Sequence, residues 1–156
     1  MMKKNGILRI GKKILINALL MSVPTILLAN SIDFPPVVSY NILETNKFNK
    51  KIRKAAQNKE EWVHSPLLIA CKYGQAGEMA SLVSIMATSD GGEGSLTATV
   101  TIVEDGYLDD SIRGGWFKFY LDRNNTEFIW RVKEIRQANL CGRMNSPYVF
   151  SKKICP

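Results

Sequence analysis

Histidine is almost missing from this chain: His64 is the single one among 156 residues. Three cysteines stand far apart, at positions 71, 141 and 155, so the paired Cys and His spacing of a zinc site does not occur. There is no Gly-rich phosphate loop, Walker pattern or serine nucleophile elbow, which removes the plainest signs of nucleotide binding and acyl transfer. The acidic stretch 104–110 lacks the alternating ligands and closing Glu of an EF-hand loop. No cofactor is therefore expected. Acidic residues are also absent from the first thirty positions, which hold five of the 21 Lys and Arg. The remainder has 16 basic against 14 acidic residues, so the formal charge of +7 is not a concentrated basic field and nucleic acid is not an expected partner.

What the N-terminus does have is the layout of an export signal. Lys3, Lys4, Arg9, Lys12 and Lys13 precede an uncharged apolar run at 14–29 that ends in Leu27-Leu28-Ala29. Basic residues favour the cytoplasmic side while the apolar run inserts. A spanning helix needs about 20 apolar residues; this run is shorter and carries Pro24, which weakens a helix interior. Residues 1–29 are thus expected to be a cleaved signal peptide, with an uncleaved membrane anchor as the rival. A linker is expected at 30–39, where Pro35-Pro36 favours extended chain, followed by one domain over 40–156. The expected location is periplasmic or extracellular.

Within that domain, Ile42, Leu43, Phe48, Ile52, Ala55 and Ala56 recur near helical spacing. One amphipathic helix is expected over 40–59, capped by Ser39, with the basic run 47–54 as its solvated face. Ser65-Pro66 reads as a break. Beyond it the period falls to two, with short strands expected at 67–73 and 82–88. Residues 90–94 (DGGEG) form a turn. Leu96, Ala98, Val100 and Ile102 then alternate with Thr97, Thr99 and Thr101 in the clearest strand of the chain, at 95–104. Further strands are expected at 116–121 and 127–136, joined by short connections that favour antiparallel pairing. The expected fold is α+β: one N-terminal amphipathic helix on a four- to five-stranded antiparallel meander.

Cys141 and Cys155 flank an irregular tail with little apolar periodicity, and in an exported chain such a pair favours a disulfide holding the tail as a flap. Three cysteines permit three single pairings, and Cys71 reads as a small buried hydrophobe. Catalytic arrangements find little. His64 and Cys71 could pair as base and nucleophile, but no orienting residue accompanies them. Glu104, Asp109, Glu127 and Glu134 are carboxylates with nothing tying any two together. The candidate binding residues are Trp116 and Trp130, from a sheet dense in aromatic rings, and Asp109, Asp110 and Arg113 of the loop 105–115.

Four pieces add a resemblance: Pro66-Leu67, the loop Asp109-Asp110-Ser111-Ile112-Arg113-Gly114, the strand Trp130-Arg131-Val132, and the tail Cys141-Gly142-Arg143…Phe150-Ser151…Cys155. Over about 90 residues they resemble small secreted bacterial proteins, some membrane-tethered, with an antiparallel sheet and a cysteine-bracketed end. That family carries a Gly-His pair after the Gly-Arg, where this chain has Met144-Asn145. The resemblance implies the sheet and the disulfide and no established activity. The expectation for function is an exported, non-catalytic binding or structural module of the cell envelope or exterior, meeting protein, peptide or cell-wall carbohydrate. Membrane contact is expected through the N-terminal segment alone, if uncleaved. The alternatives are an inhibitor or immunity-like partner of another exported protein, or a small hydrolase using the acidic loop or Cys71.

Overall fold

A computed structural model describes residues 34–74, 80–92, 94–123, 126–143 and 148–155. The export signal expected at 1–29 lies outside the described residues. The elements are β1 (Asn41–Leu43), α1 (Asn46–Gln57), a 3₁₀ turn (Glu61–His64), α2 (Pro66–Gly74), β2 (Leu82–Ser89), β3 (Thr97–Asp105), β4 (Ile112–Arg123), β5 (Trp130–Cys141) and β6 (Phe150–Ser151). All strands belong to one sheet in the order β1-β5-β4-β3-β2, with β6 also on β5, and every pairing between named strands is antiparallel. The expected meander is its centre, β2 to β5. The sheet is larger than the four to five strands expected, because two short strands, one before and one after the meander, both pair with β5.

The helix expected over 40–59 is shorter, and Ser39 does not cap it. Residues 41–43 pair with β5 instead, and α1 starts after Thr45, whose carbonyl takes the Asn49 N–H at 2.8 Å. Phe48, Ile52 and Ala55 fall on one side of α1 and are buried, while Lys47, Lys50, Lys51, Arg53 and Lys54 are exposed. The basic run is a solvated helix face. The strand expected at 67–73 is α2. Ser65-Pro66 starts this helix rather than breaking the chain: the Ser65 hydroxyl accepts the Leu68 N–H at 3.3 Å, the Ser65 carbonyl accepts the Ile69 N–H, and Pro66 takes the first helical position, where its missing N–H costs nothing.

One sheet face carries the main core. Ala98, Val100 and Ile102 of β3, Phe119 and Leu121 of β4, and Trp130, Val132 and Ile135 of β5 pack with the buried residues of α1, the 3₁₀ turn and α2. A smaller cluster on the opposite face joins Val103, Ala138 and Leu140 to Phe150, with Phe34, Val37 and Trp116 against it. The tail that brings Phe150 there is closed by the Cys141–Cys155 disulfide, with Cα atoms 5.3 Å apart. Val38 N–H donates to the Phe150 carbonyl, and Phe150 N–H donates to that of Pro36.

The ladder between β4 and β5 is irregular in two places. Tyr120 faces Glu134 but Leu121 faces Val132, so Lys133 is the extra residue of a bulge. Arg113 is likewise extra between Ile112 and Gly114. Next to it the sheet needs glycine: a Cβ on Gly114 would overlap the Glu104 carbonyl oxygen, and one on Gly115 would press on the Tyr107 hydroxyl.

Candidate functional site

The helices cover one face of the sheet; the other carries the candidate site. Along β4, Phe117, Phe119 and Leu121 point to the helices, so Trp116, Lys118 and Tyr120 point away. Opposite them on β5 stand Ala138, Arg136 and Glu134. Tyr40, just before β1, reaches the same strip. The Arg136 guanidinium lies 4.7 Å from the ring centres of both Tyr40 and Tyr120, and the Lys118 ammonium lies 5.4 Å from the Tyr120 ring. Tyr40 also meets Trp116, with centroids 6.5 Å apart.

Arg136 is fixed from the side by Glu134, Nε to Oε1 at 2.5 Å, and that hydrogen bond raises the guanidinium pKa further. The side chains of both are about one-third exposed (30% and 32%). Cations over ring faces are attracted by the ring quadrupole, so the strip is held in shape before any partner arrives. Around it lie exposed Ile42 and half-buried Thr99 and Thr101. The result is a surface of rings, planar cation and hydroxyls, rooted at Trp116 on the Phe150 cluster.

The two tryptophans expected from sequence to bind do not share this surface. Trp116 is half-buried on the strip, whereas Trp130 is 4% exposed and belongs to the core under α1. Asp109 is a loop cap: its carboxylate accepts the Ser111 and Ile112 N–H groups at 2.7 and 2.6 Å, and these lower its pKa. Asp110 is exposed. Arg113 turns to Asp105, donating from Nε at 2.8 Å and Nη2 at 3.1 Å, and lies 5.1 Å from the Tyr148 ring centre. Asp109 and Arg113 are thus tied within the loop and, for Arg113, to the tail, rather than aimed at a common point.

Of the catalytic candidates, Glu104, Glu134 and His64 are engaged elsewhere, and Glu127 is exposed. Glu104 is buried and accepts the Tyr107 hydroxyl. Glu134 holds Arg136. His64 is exposed and donates from Nδ1 to the Phe128 carbonyl at 3.3 Å. Cys71 is half-buried, and desolvation pushes its thiol pKa up, the opposite of what a nucleophile needs. Among the described residues no three His, Cys, Asp or Glu side chains are grouped to hold a metal, and no helix is long and apolar enough to cross a membrane.

A concavity of about 560 Å³ opens between α1 and the end of the sheet, with Asn49, Arg53, Leu96, Arg123 and Trp130 in its lining. Two of its lining charges pair with each other. Asp122 accepts Arg131 Nε and Nη2 at 2.7 and 3.0 Å, and Lys133 stands 3.8 Å away. Arg123 stacks over Phe128 and Trp130.

Those pairings carry a pH prediction. Arg131 holds the Asp122 pKa below the ordinary carboxylate value, Arg113 does the same for Asp105, and the Ser95 hydroxyl and Thr97 bring Asp90 down to about 2. Each is depressed in the folded state. Their stabilisation is present above the unfolded pKa of about 3.9 and is lost as pH falls through the folded values. Urea midpoints should hold between pH 7 and 5 and then drop steadily below about pH 4. Asp122→Asn should lower the midpoint at pH 7 and flatten the acid slope. An unchanged slope would show that the pair does not contribute.

Sequence patterns do not single out Tyr40, Tyr120 and Arg136 as site residues. Tyr120 is within reach of them, as it alternates with the core-facing Phe119 and Leu121; Arg136 is hidden by the bulge at Lys133. No family model, curated protein or solved structure matches the chain.

Proposed function

We propose that the protein is an exported, non-catalytic binding module whose contact surface is the strip Tyr40, Trp116, Lys118, Tyr120 and Arg136, and that its partner is a protein. One observation carries the reading: Arg136 stacked on both Tyr40 and Tyr120 on the sheet face away from the helices. Tyr, Trp and Arg are the residue types that dominate the energetics of protein interfaces, and here they sit together in a pre-ordered patch. The disulfide Cys141–Cys155 fits a non-reducing compartment, which supports export.

The test places a photo-crosslinking amino acid at Tyr120, or at Lys54 on the solvated face of α1, in the cells that make the protein. A discrete protein adduct from position 120 and none from position 54 is expected. Arg136→Ala should weaken binding of the adduct partner by about 30-fold, the effect of losing an interface residue worth about 2 kcal/mol. Equal labelling from both positions, or adducts indifferent to Arg136→Ala, would sink the reading. Co-sedimentation of the protein with cell-wall polymer, lost in Trp116→Ala, would replace the protein partner by carbohydrate.

A further inference from the structure

The two edges of the sheet are treated differently. On the outer side of β5, β1 covers Ile135–Gln137 and β6 covers Asn139 and Leu140. Where neither reaches, the Asn49 side chain takes over: its Nδ2 donates to the Val132 carbonyl at 2.8 Å, and its Oδ1 accepts the Val132 N–H at 2.9 Å. The other edge is β2, and among the described residues the sheet ends there. β2 is eight residues long, contains no charge and no proline, and pairs with β3 without a bulge from Leu82↔Asp105 to Ser89↔Ala98. Folded proteins ordinarily blunt such an edge with Lys, Pro, a bulge or a short strand, because its free N–H and C=O groups recruit another strand. None of these devices is present in β2.

From this we infer that β2 pairs with β2 of a second copy, giving a two-fold dimer with one continuous sheet. The geometry is restrictive. Antiparallel pairing of two identical edges places the two-fold axis normal to the sheet, so facing residues share a sheet face and their numbers differ by an even count. Centred on Ile85, the pairing sets Ile85 opposite its own copy, Val83 opposite Ala87, Ser84 opposite Met86 and Leu82 opposite Thr88.

The composition of β2 suits this occupant. Around a two-fold axis a charged residue near the centre would meet its own sign, and β2 has none to meet. Its large apolar residues are exposed in the single copy, Leu82 by 41%, Ile85 by 40% and Met86 by 62%, and each becomes a cross-strand neighbour of the second copy. The axis also leaves both strips on the same side of the joined sheet, so the dimer presents two contact surfaces to a partner.

Sedimentation equilibrium of the oxidised protein, as isolated from producing cells, should show a dimer at about 100 μM, where even modest self-affinity is saturated. Ile85→Lys, which sets like charges face to face, should raise the dimer dissociation constant by at least about tenfold, equivalent to about 1.4 kcal/mol, with circular dichroism unchanged. A second measurement stands if that variant misfolds. In a Cys71→Ser background, Ile85→Cys should form an intersubunit disulfide in air, because position 85 faces itself at a spacing a disulfide accepts, and Val83→Cys should not. A wild-type monomer at that concentration, with no more cross-link from position 85 than from 83, overturns the inference. The crosslinking outcome at Tyr120 is independent of both results.

Discussion

Phe119→Ala is expected to destabilise the protein by about 3–5 kcal/mol, the range for deleting a fully buried ring from a packed core. The site leaves little room to collapse. Phe119 has no exposed surface and lies at the middle of β4, facing Val100 on one side and Ile135 on the other. Its ring meets Tyr73 of α2 edge-on at 5.5 Å. Tyr73 in turn meets Phe48 of α1 at 4.9 Å, and Phe48 stacks near Trp62 of the 3₁₀ turn at 6.5 Å. This run of rings connects the sheet to every helical segment of the described chain, so the cavity would be felt by all three. A domain of this size has about 5–15 kcal/mol in hand, and the Ala variant would sit near the lower limit. Urea unfolding of Phe119→Ala beside Phe119→Leu gives the check: Leu refills part of the volume and should recover at least half the loss. A loss below about 1 kcal/mol for Ala would mean that the helices are not seated on the sheet as described.

The sheet is readable from sequence chiefly through β3, where Ala98, Val100 and Ile102 alternate with Thr97, Thr99 and Thr101 and are buried. Where local patterns fail, a different physical term decides. Residues 67–73 are apolar enough for a strand, but the Ser65 cap and Pro66 set the first turn of a helix, and α2 buries Ile69 and Ala70 against β3. Residues 41–43 follow the helical spacing of α1, yet they satisfy the outer edge of β5, a demand placed by residues about ninety positions away. No window of sequence contains that demand.

The candidate site is half legible for a related reason. Alternation from Trp130 and Val132 sends Glu134 and Arg136 to the same, core side. The bulge at Lys133 reverses the sides, so Ile135 enters the core and Arg136 emerges beside Tyr120. A bulge is one residue of slippage, and one residue exchanges the two faces. The cation at the centre of the strip therefore depends on an irregularity that alternation alone does not reveal. Tyr40 is equally hidden, since it belongs to the strip through β1 and not through the helix its spacing suggests.

Replacing Cys141 and Cys155 together by serine is expected to cost about 3 kcal/mol, the chain-entropy value for a loop of this length. The loss should be felt first in the tail. Between 148 and 155 the buried side chains are Phe150 and Ser151; Tyr148 is 53% and Ile154 94% exposed. Burying one phenylalanine contributes about 1.5–3 kcal/mol. Ordering the backbone costs about 1–2 kcal/mol per residue, and the two-residue strand β6 does not offset that over the whole segment. The cross-link removes much of this entropy from the competing open state. Without it the tail should leave β5, and with it go Phe150 and its backbone hydrogen bonds with Pro36 and Val38. Trp116 packs against that same cluster, so the effect reaches the contact strip. The double variant should show fast amide exchange at Val38 and Phe150, a red-shifted component of tryptophan emission, and weaker binding to the Tyr120 crosslinking partner. The Phe119 side of the sheet should keep its protection at the same time. Unchanged exchange at Phe150 would mean that burial alone secures the tail, whereas loss of protection across β3 and β4 would show that tail and core unfold as one unit.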